Sequence, residues 1–228
     1  MKQLFIAGNW KSNKTIAEAR DWFNQFKTLV TGQWKLAEHT NCQTVLCVPF
    51  TTLSALGQDV TSSGLPIELG GQNVSPYTDG AYTGEISSRM LKELASWVII
   101  GHSERRKYFS ESTEILTEKI TQARAQGLKV IYCVQNDQTF VPDGVDVIAY
   151  EPFWAIGTGK TDTPENANSV VFSIKKKTNV AVVIYGGSVT GENVKDFVRQ
   201  NDIDGVLPGG ASLTPEKFYS LLTNASSA

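Results

Sequence analysis

The sequence predicts a closed barrel of eight parallel strands, each followed by a covering segment, a (β/α)8 architecture of class α/β. Three observations carry this. Eight short apolar runs recur along the chain: 4–7, 45–48, 67–69, 98–100, 130–133, 147–150, 182–185 and 203–207. They are rich in Val, Ile and Leu without clean polar alternation, as expected of strands buried on both faces. Most are separated by stretches with helical start signals and apolar spacing. An open doubly wound sheet is the other arrangement these runs allow, but no dinucleotide-type glycine fingerprint follows the first of them.

The helical stretches can be justified in turn. Thr15 and Glu18 form a capping box ahead of Ala19, Phe23, Phe26 and Val30. Ser88, Met90, Leu91 and Leu94 mark a shorter helix, and Ile115, Ile120 and Ala123 mark another that ends at Gly127. Thr163-Pro164-Glu165 and Thr214-Pro215-Glu216 place proline at the first turn of a helix. Thr190 is expected to cap a helix carrying Val194, Phe197 and Val198.

One unit is short. Only residues 134–146 separate Cys133 from Val147, and they include Pro142, Asp143 and Gly144. A parallel crossover needs about a dozen residues, so the topology survives while the helix between strands 5 and 6 is missing or vestigial. The outer faces of strands 5 and 6 then need other cover. Phe140, Val141 and Pro142 are expected to fold back over them as an apolar plug, and a second subunit packed there is the alternative.

The 228 residues suit one domain over 1–228. With 21 Lys+Arg against 23 Asp+Glu, the net charge of -2 supplies no field for a nucleic-acid backbone or an anionic membrane. Apolar stretches of about seven residues fall far short of the roughly 20 needed to span a bilayer. No secretory segment fits the N-terminus. Cys42, Cys47 and Cys133 make an odd set without a CxxC pair, which suggests free thiols and a cytoplasmic protein. Two histidines, His39 and His102, and the cysteine spacing argue against a metal site.

In such a barrel the working groups gather at the C-terminal ends of the strands. Asn9, Trp10 and Lys11 follow strand 1, and Gln72 and Asn73 follow strand 3. His102, Ser103 and Glu104 follow strand 4, and Glu151 follows strand 6. Gly186-Gly187-Ser188 and Gly209-Gly210 end strands 7 and 8. Glu151, fixed before Pro152, is placed as a general base or is an ordinary loop acid. His102 suits proton chemistry or hydrogen bonding better than metal ligation. Lys11 could balance an anion. The paired glycines allow close backbone approach to a phosphate. Pro152, Phe153, Trp154, Ala155, Ile156, Gly157, Thr158, Gly159 and Lys160 read as a mobile lid, with glycines for movement and apolar side chains to exclude water. Its GTGK ending is not a nucleotide loop, because Trp154 occupies the position where that motif needs glycine.

GNWK at 8–11, GHSERR at 101–106, YEPFWAIGTGK at 150–160, YGGSV at 185–189 and GGASL at 209–213 together resemble the triosephosphate isomerase family. Gln72-Asn73 and residues 80–85 resemble its third loop, and the likeness runs from about residue 2 to 222. The resemblance implies a TIM barrel that interconverts dihydroxyacetone phosphate and D-glyceraldehyde 3-phosphate without a cofactor. It implies Glu151 as base, His102 as the imidazole at the carbonyl oxygens, Lys11 as the stabilising cation, Asn9 as its polar neighbour and Glu104 as the acid orienting Lys11. Gly157, Ser188, Gly209 and Gly210 match the phosphate grip. A homodimer is implied, with the loop from Tyr77 to Glu85 entering the partner. The sequence departs from the family pattern at the missing helix, at Gln135-Asn136 in place of glycine-glutamate, at Pro208 before the paired glycines and at Phe153 in the lid. A lyase or synthase barrel on another phosphorylated metabolite, or a scaffold barrel without activity, explains fewer of these segments.

Overall fold

A computed structural model describes residues 2–32, 35–36, 41–152 and 161–228. The chain alternates β1 (Leu4–Asn9), α1 (Ile16–Val30), β2 (Cys42–Cys47), α2 (Phe50–Ser63), β3 (Ile67–Gly71), α3 (Ser88–Lys92) and β4 (Trp97–Ile100). It continues with α4 (Ser103–Phe109), α5 (Thr113–Ala125), β5 (Lys129–Val134), β6 (Val147–Tyr150), α6 (Pro164–Thr178), β7 (Val182–Tyr185), α7 (Val194–Val198), β8 (Gly205–Val206) and α8 (Pro215–Ser226). The strands pair in parallel in sequence order, and β1 pairs β8 to close the barrel. None of the described helices is long and apolar enough to cross a membrane.

Two apolar cores follow from strand alternation. Phe5, Ala7, Val45, Cys47, Trp97, Ile99, Ile131, Cys133, Val147, Ala149 and Ile184 fill the barrel interior. Their neighbours Ile6, Leu46, Val98, Tyr132, Ile148 and Tyr185 face the helices. Continuing the inward series past the strand ends carries Asn9 and Glu151 to the mouth of the barrel. The Thr15 capping box is present, with Thr15 N–H donating to Glu18 Oε2 at 2.7 Å and Glu18 N–H donating to Thr15 Oγ1 at 3.4 Å.

Several local expectations change. Thr190 does not cap α7. The N-cap is Asn193, whose Oδ1 instead accepts the Thr190 N–H at 2.9 Å and closes a turn before the helix. The eighth strand is reduced to Gly205–Val206, although Phe5 N–H to Asp204 O and Asn9 N–H to Pro208 O extend its bonding to β1. On α3, which ends at Lys92 before Leu94, Leu91 is buried while Met90 is exposed, and on α5 the core position falls to Leu116 rather than Ile115. The helical phase chooses one of two adjacent apolar residues in each case.

Residues 135–146 form turns and bends without a helix. The outward side chains of the flanking strands, Val130, Tyr132, Val134, Ile148 and Tyr150, are nevertheless buried. Val141 and Val145 pack against them, Pro142 is buried, and α5 and α6 contribute Leu116, Ile120, Val171 and Ile174 to the same core. Local cover is therefore achieved within one chain. Phe140, however, is 62% exposed, so the expected plug is Val141 and Pro142 alone. Its backbone explains this: the Phe140 carbonyl accepts the Tyr132 hydroxyl at 3.3 Å, and the ring is left on the solvent side. Both ends of the crossover are pinned. Asp137 accepts from Ser173 Oγ at 2.6 Å and pairs with Lys177 at 2.7 Å, and these partners hold its carboxyl down at about 2. Asp146 accepts the Val130 N–H at 2.7 Å and pairs with Arg124 at 2.9 Å. Phe140→Ser should therefore change the thermal midpoint by less than about 2 °C. Asp146→Ala, which orphans the Val130 N–H, should lower it by about 3–6 °C. Thermal melts of the two variants check both values.

Candidate active site

Glu151 stands one residue past β6 and is almost fully buried. Its Oε1 lies 3.0 Å from His102 Nε2, and its Oε2 accepts the Ser103 N–H at 3.2 Å. A buried carboxylate without partners would be costly, and here each oxygen has one. The side chain passes Gly186, where an added Cβ would lie 2.8 Å from Glu151 Cγ. Glycine at the first position of the β7 loop is thus required by the carboxylate beside it.

His102 reaches the site through a break in alternation. Gly101 has φ +76°, a conformation that favours glycine, and it turns the chain out of β4 so that His102 caps α4. His102 Nδ1 accepts the Glu104 N–H at 3.2 Å, which assigns the proton of the neutral ring to Nε2, the nitrogen facing Glu151. Burial pushes the imidazole down, but the Glu151 carboxylate outweighs it and raises the ring's affinity for a proton. For Glu151, burial pushes up while His102, the Ser103 N–H and Lys11 hold the carboxyl below its ordinary value. Both shifts favour an ionised Glu151 carboxylate hydrogen-bonded to the His102 ring.

Lys11 follows β1 with φ +53°, an uncommon conformation for a residue with a side chain. Its N–H donates to Asn9 Oδ1 at 3.0 Å, and its Nζ meets Glu104 Oε1 at 2.5 Å. Asn9 Oδ1 also accepts from Gln72 Nε2 at 3.2 Å, and Gln72 donates to the Lys11 carbonyl at 2.9 Å. Asn9, Lys11, His102 and Glu151 thus converge on one cavity of about 660 Å³. Its far wall is Gly186–Ser188 and Gly209–Ala211. A Cβ added to Gly209 would lie 3.4 Å from Lys11 Cε, so the lysine spans from β1 to the β8 loop.

The structure therefore brings together nearly every site residue the sequence singled out. Glu104 joins through Lys11. Residues 153–160, including Gly157 and most of the expected lid, lie outside the described residues; Pro152 is buried beside Glu151. Gln72 stands at the rim by its place after β3, and its amide braces the Lys11 backbone. Arg106 is a further functional side chain. Its Nε donates to Gly101 O at 2.8 Å and its Nη2 to Cys133 O at 3.1 Å, tying the His102 turn to β5. Neither role carries a local sequence signal, because each depends on strands distant in the chain.

Among the described residues, no three His, Cys, Asp or Glu side chains are placed to hold a metal ion. The three cysteines are free and buried. Burial pushes the Cys133 thiol well up, and the neighbouring Glu151 carboxylate pushes the same way, so this thiol stays protonated beneath the site.

Comparison with known proteins points to one family. The triosephosphate isomerase family profile matches residues 4–142 and 136–225, two overlapping stretches that meet in the shortened crossover. The triosephosphate isomerase of Synechocystis is 44% identical over 97% of this chain and 98% of its own. The corresponding proteins of Trichodesmium erythraeum and Alkaliphilus metalliredigens are 42% and 40% identical, each over 97% of this chain and 99% of their own. Barrel, rim and near-full-length similarity agree: the chain belongs to the triosephosphate isomerase family.

Proposed function

We propose that this protein interconverts dihydroxyacetone phosphate and D-glyceraldehyde 3-phosphate, with Glu151 as base, His102 as electrophile and Lys11 as electrostatic stabiliser. The observation that supports this reading best is the buried Glu151–His102 contact at 3.0 Å beside the Lys11 cation in one cavity. A proton next to a carbonyl is weakly acidic, so its removal needs a carboxylate and simultaneous stabilisation of the growing oxyanion. Substrate entering the cavity replaces the imidazole as the partner of Glu151. The carboxylate then takes the proton from the carbon beside the carbonyl, and the electron pair moves into an enediolate.

The Nε2–H of His102 and the Lys11 ammonium face the two oxygens. His102 donates a proton to one oxygen and recovers one from the other, and Glu151 returns its proton to the adjacent carbon. Proton count and charge close without a further reactant, and the chain's own side chains carry each step. Asn9 holds the Lys11 backbone, and Glu104 aims its amine. Ser188 and the backbone at Gly209 and Gly210 bind the phosphate, joined by Gly157 from the lid of residues 152–160. Closure of that lid keeps water from the enediolate, whose phosphate would otherwise be expelled. A coupled assay of triose phosphate interconversion tests the reading. Turnover in both directions is expected, and absence of turnover by folded protein would overturn it.

The same reading makes the protein a cytoplasmic homodimer, and the whole chain 1–228 one domain. Tyr77 and Tyr82 stack at 4.2 Å, yet both are about half exposed in the single chain, as suits a loop that enters a partner. Sedimentation should give a mass of two chains, and Tyr82→Asp should shift it toward one.

A further inference from the structure

Lys119 lies on the core-facing stripe of α5, beside Leu116, Ile120 and Ala123, and is 3% exposed. Its Nζ contacts Glu111 Oε1 at 2.5 Å and Asn73 Oδ1 at 2.6 Å. Glu111, between α4 and α5, also accepts from Arg105 Nε at 2.6 Å. Both cations use the same Glu111 oxygen, and Oε2 has no partner among the described residues. Such a cluster is poor material for stability alone. Apolar residues of similar size in place of a buried ion pair are often neutral or stabilising. A lysine in this stripe calls for something that it reaches.

What it reaches is the residue next to Gln72. Lys11 lines the cavity at φ +53°, a sparsely populated conformation that needs support from its neighbours. Two side chains give it: Asn9 on the N–H, and Gln72 on the carbonyl. The last pairing of β3 with β4 is at Gly71, so Gln72 and Asn73 project beyond the paired ladder. The Asn73 side chain is held by Lys119, whose own position is set by Glu111, while Arg105 ties Glu111 to the helix carrying Glu104.

We propose that Lys119 is a positioning residue for Lys11: buried against Glu111, it clamps Asn73 and thereby fixes the Gln72 amide that braces the Lys11 backbone. This rests on the proposed isomerase reading for its kinetic consequence but not for its structural one. The experiment therefore has two arms. In the first, kcat/KM for triose phosphate is measured for Lys119→Met, Asn73→Ala, Gln72→Ala and the Lys119→Met/Gln72→Ala pair. Asn73→Ala removes the contact while leaving the ion pair in place, so it answers even where Lys119→Met folds poorly.

Each single variant is expected to lose about tenfold, since small displacements of a reacting group cost far more than their energy suggests. In the Gln72→Ala background the Lys119 substitution should cost less than about twofold, because the path it acts through is already cut. Multiplying losses, or Asn73→Ala with unchanged kinetics, would overturn the proposal. In the second arm, backbone amide exchange is read at Lys11. About tenfold faster exchange at that amide in Asn73→Ala, with the α5 amides unchanged, is expected, and equal protection would overturn the proposal. This arm needs no turnover, so a wild-type protein inactive on triose phosphates would defeat the functional reading while leaving the positioning claim open to its own result.

Discussion

Glu151→Gln should lower kcat by about 10³–10⁴-fold, the range general-base catalysis supplies, with little change in fold. The amide is isosteric, and its oxygen can still accept the Ser103 N–H that Glu151 Oε2 accepts at 3.2 Å. It can accept from His102 Nε2 only by turning its NH2 toward Ser103, so one of the two contacts is weakened. The loss is nevertheless chemical, because an amide has no basicity to take a carbon-bound proton. Substrate affinity should stay within a few fold, since the proposed phosphate grip, Ser188, Gly209 and Gly210, is left intact. The pH profile gives a second check. Burial works against ionisation of Glu151, but His102 outweighs it, so the carboxyl loses its proton below the ordinary value of 4.5. Its folded-state affinity for protons is depressed, so the base is present above that pH and activity falls as pH drops through it. The substrate phosphate, with its own ionisation near pH ~6, adds a separate limb to kcat/KM. In kcat/KM, which reports the free enzyme, the Glu151 limb should lie below about 4.5, apart from the phosphate limb, and vanish in the glutamine variant. Near-normal turnover of purified Glu151→Gln would remove Glu151 from the base role.

How much of this was legible in the sequence depends on the kind of signal. Strands and rim residues were legible because a parallel barrel buries its strands on both faces and sends their ends to one side. Residues 4–7 and 147–150 read as apolar runs, and Asn9 and Glu151 stand just past them, on the inward series of their strands. His102 was legible only as a residue after a strand; its direction depends on φ +76° at Gly101, which no periodicity contains. Lys119 was illegible as a buried residue. A lysine in a helix is ordinarily solvated, and its burial depends on Glu111 and Asn73 arriving from other elements. Phe140 misled in the opposite sense. Its hydrophobicity suggested a plug, but the hydrogen bond at its carbonyl fixes a backbone that leaves the ring in water, and the smaller Val141 and Pro142 do the covering.

Lys11→Met should abolish most activity, lowering kcat/KM by about 10³-fold, while keeping the side-chain volume. A unit charge about 4 Å from a developing oxyanion or a phosphate oxygen contributes about 4 kcal/mol at an effective dielectric of 20, and that corresponds to about three orders of magnitude in rate. The structure shows why no other group compensates. Glu104, left without its 2.5 Å partner, is partly exposed and returns to water, and its negative charge opposes the substrate. Lys11→Arg should not restore full activity either. The backbone of residue 11 is fixed at φ +53° by Asn9 and Gln72, so a longer planar fork cannot back away from the cavity, where Gly209 lies against the lysine stem. Glu104→Gln is the informative contrast. It keeps the cation and removes only its aiming partner, so a loss of about tenfold is expected, carried mainly in kcat. Steady-state kinetics of the three variants, with binding of inorganic phosphate measured alongside, separate charge from aim. Lys11→Met should weaken phosphate binding and Glu104→Gln should not. A Lys11→Met protein within tenfold of wild-type kcat/KM would show that the cation stabilises neither the phosphate nor the enediolate.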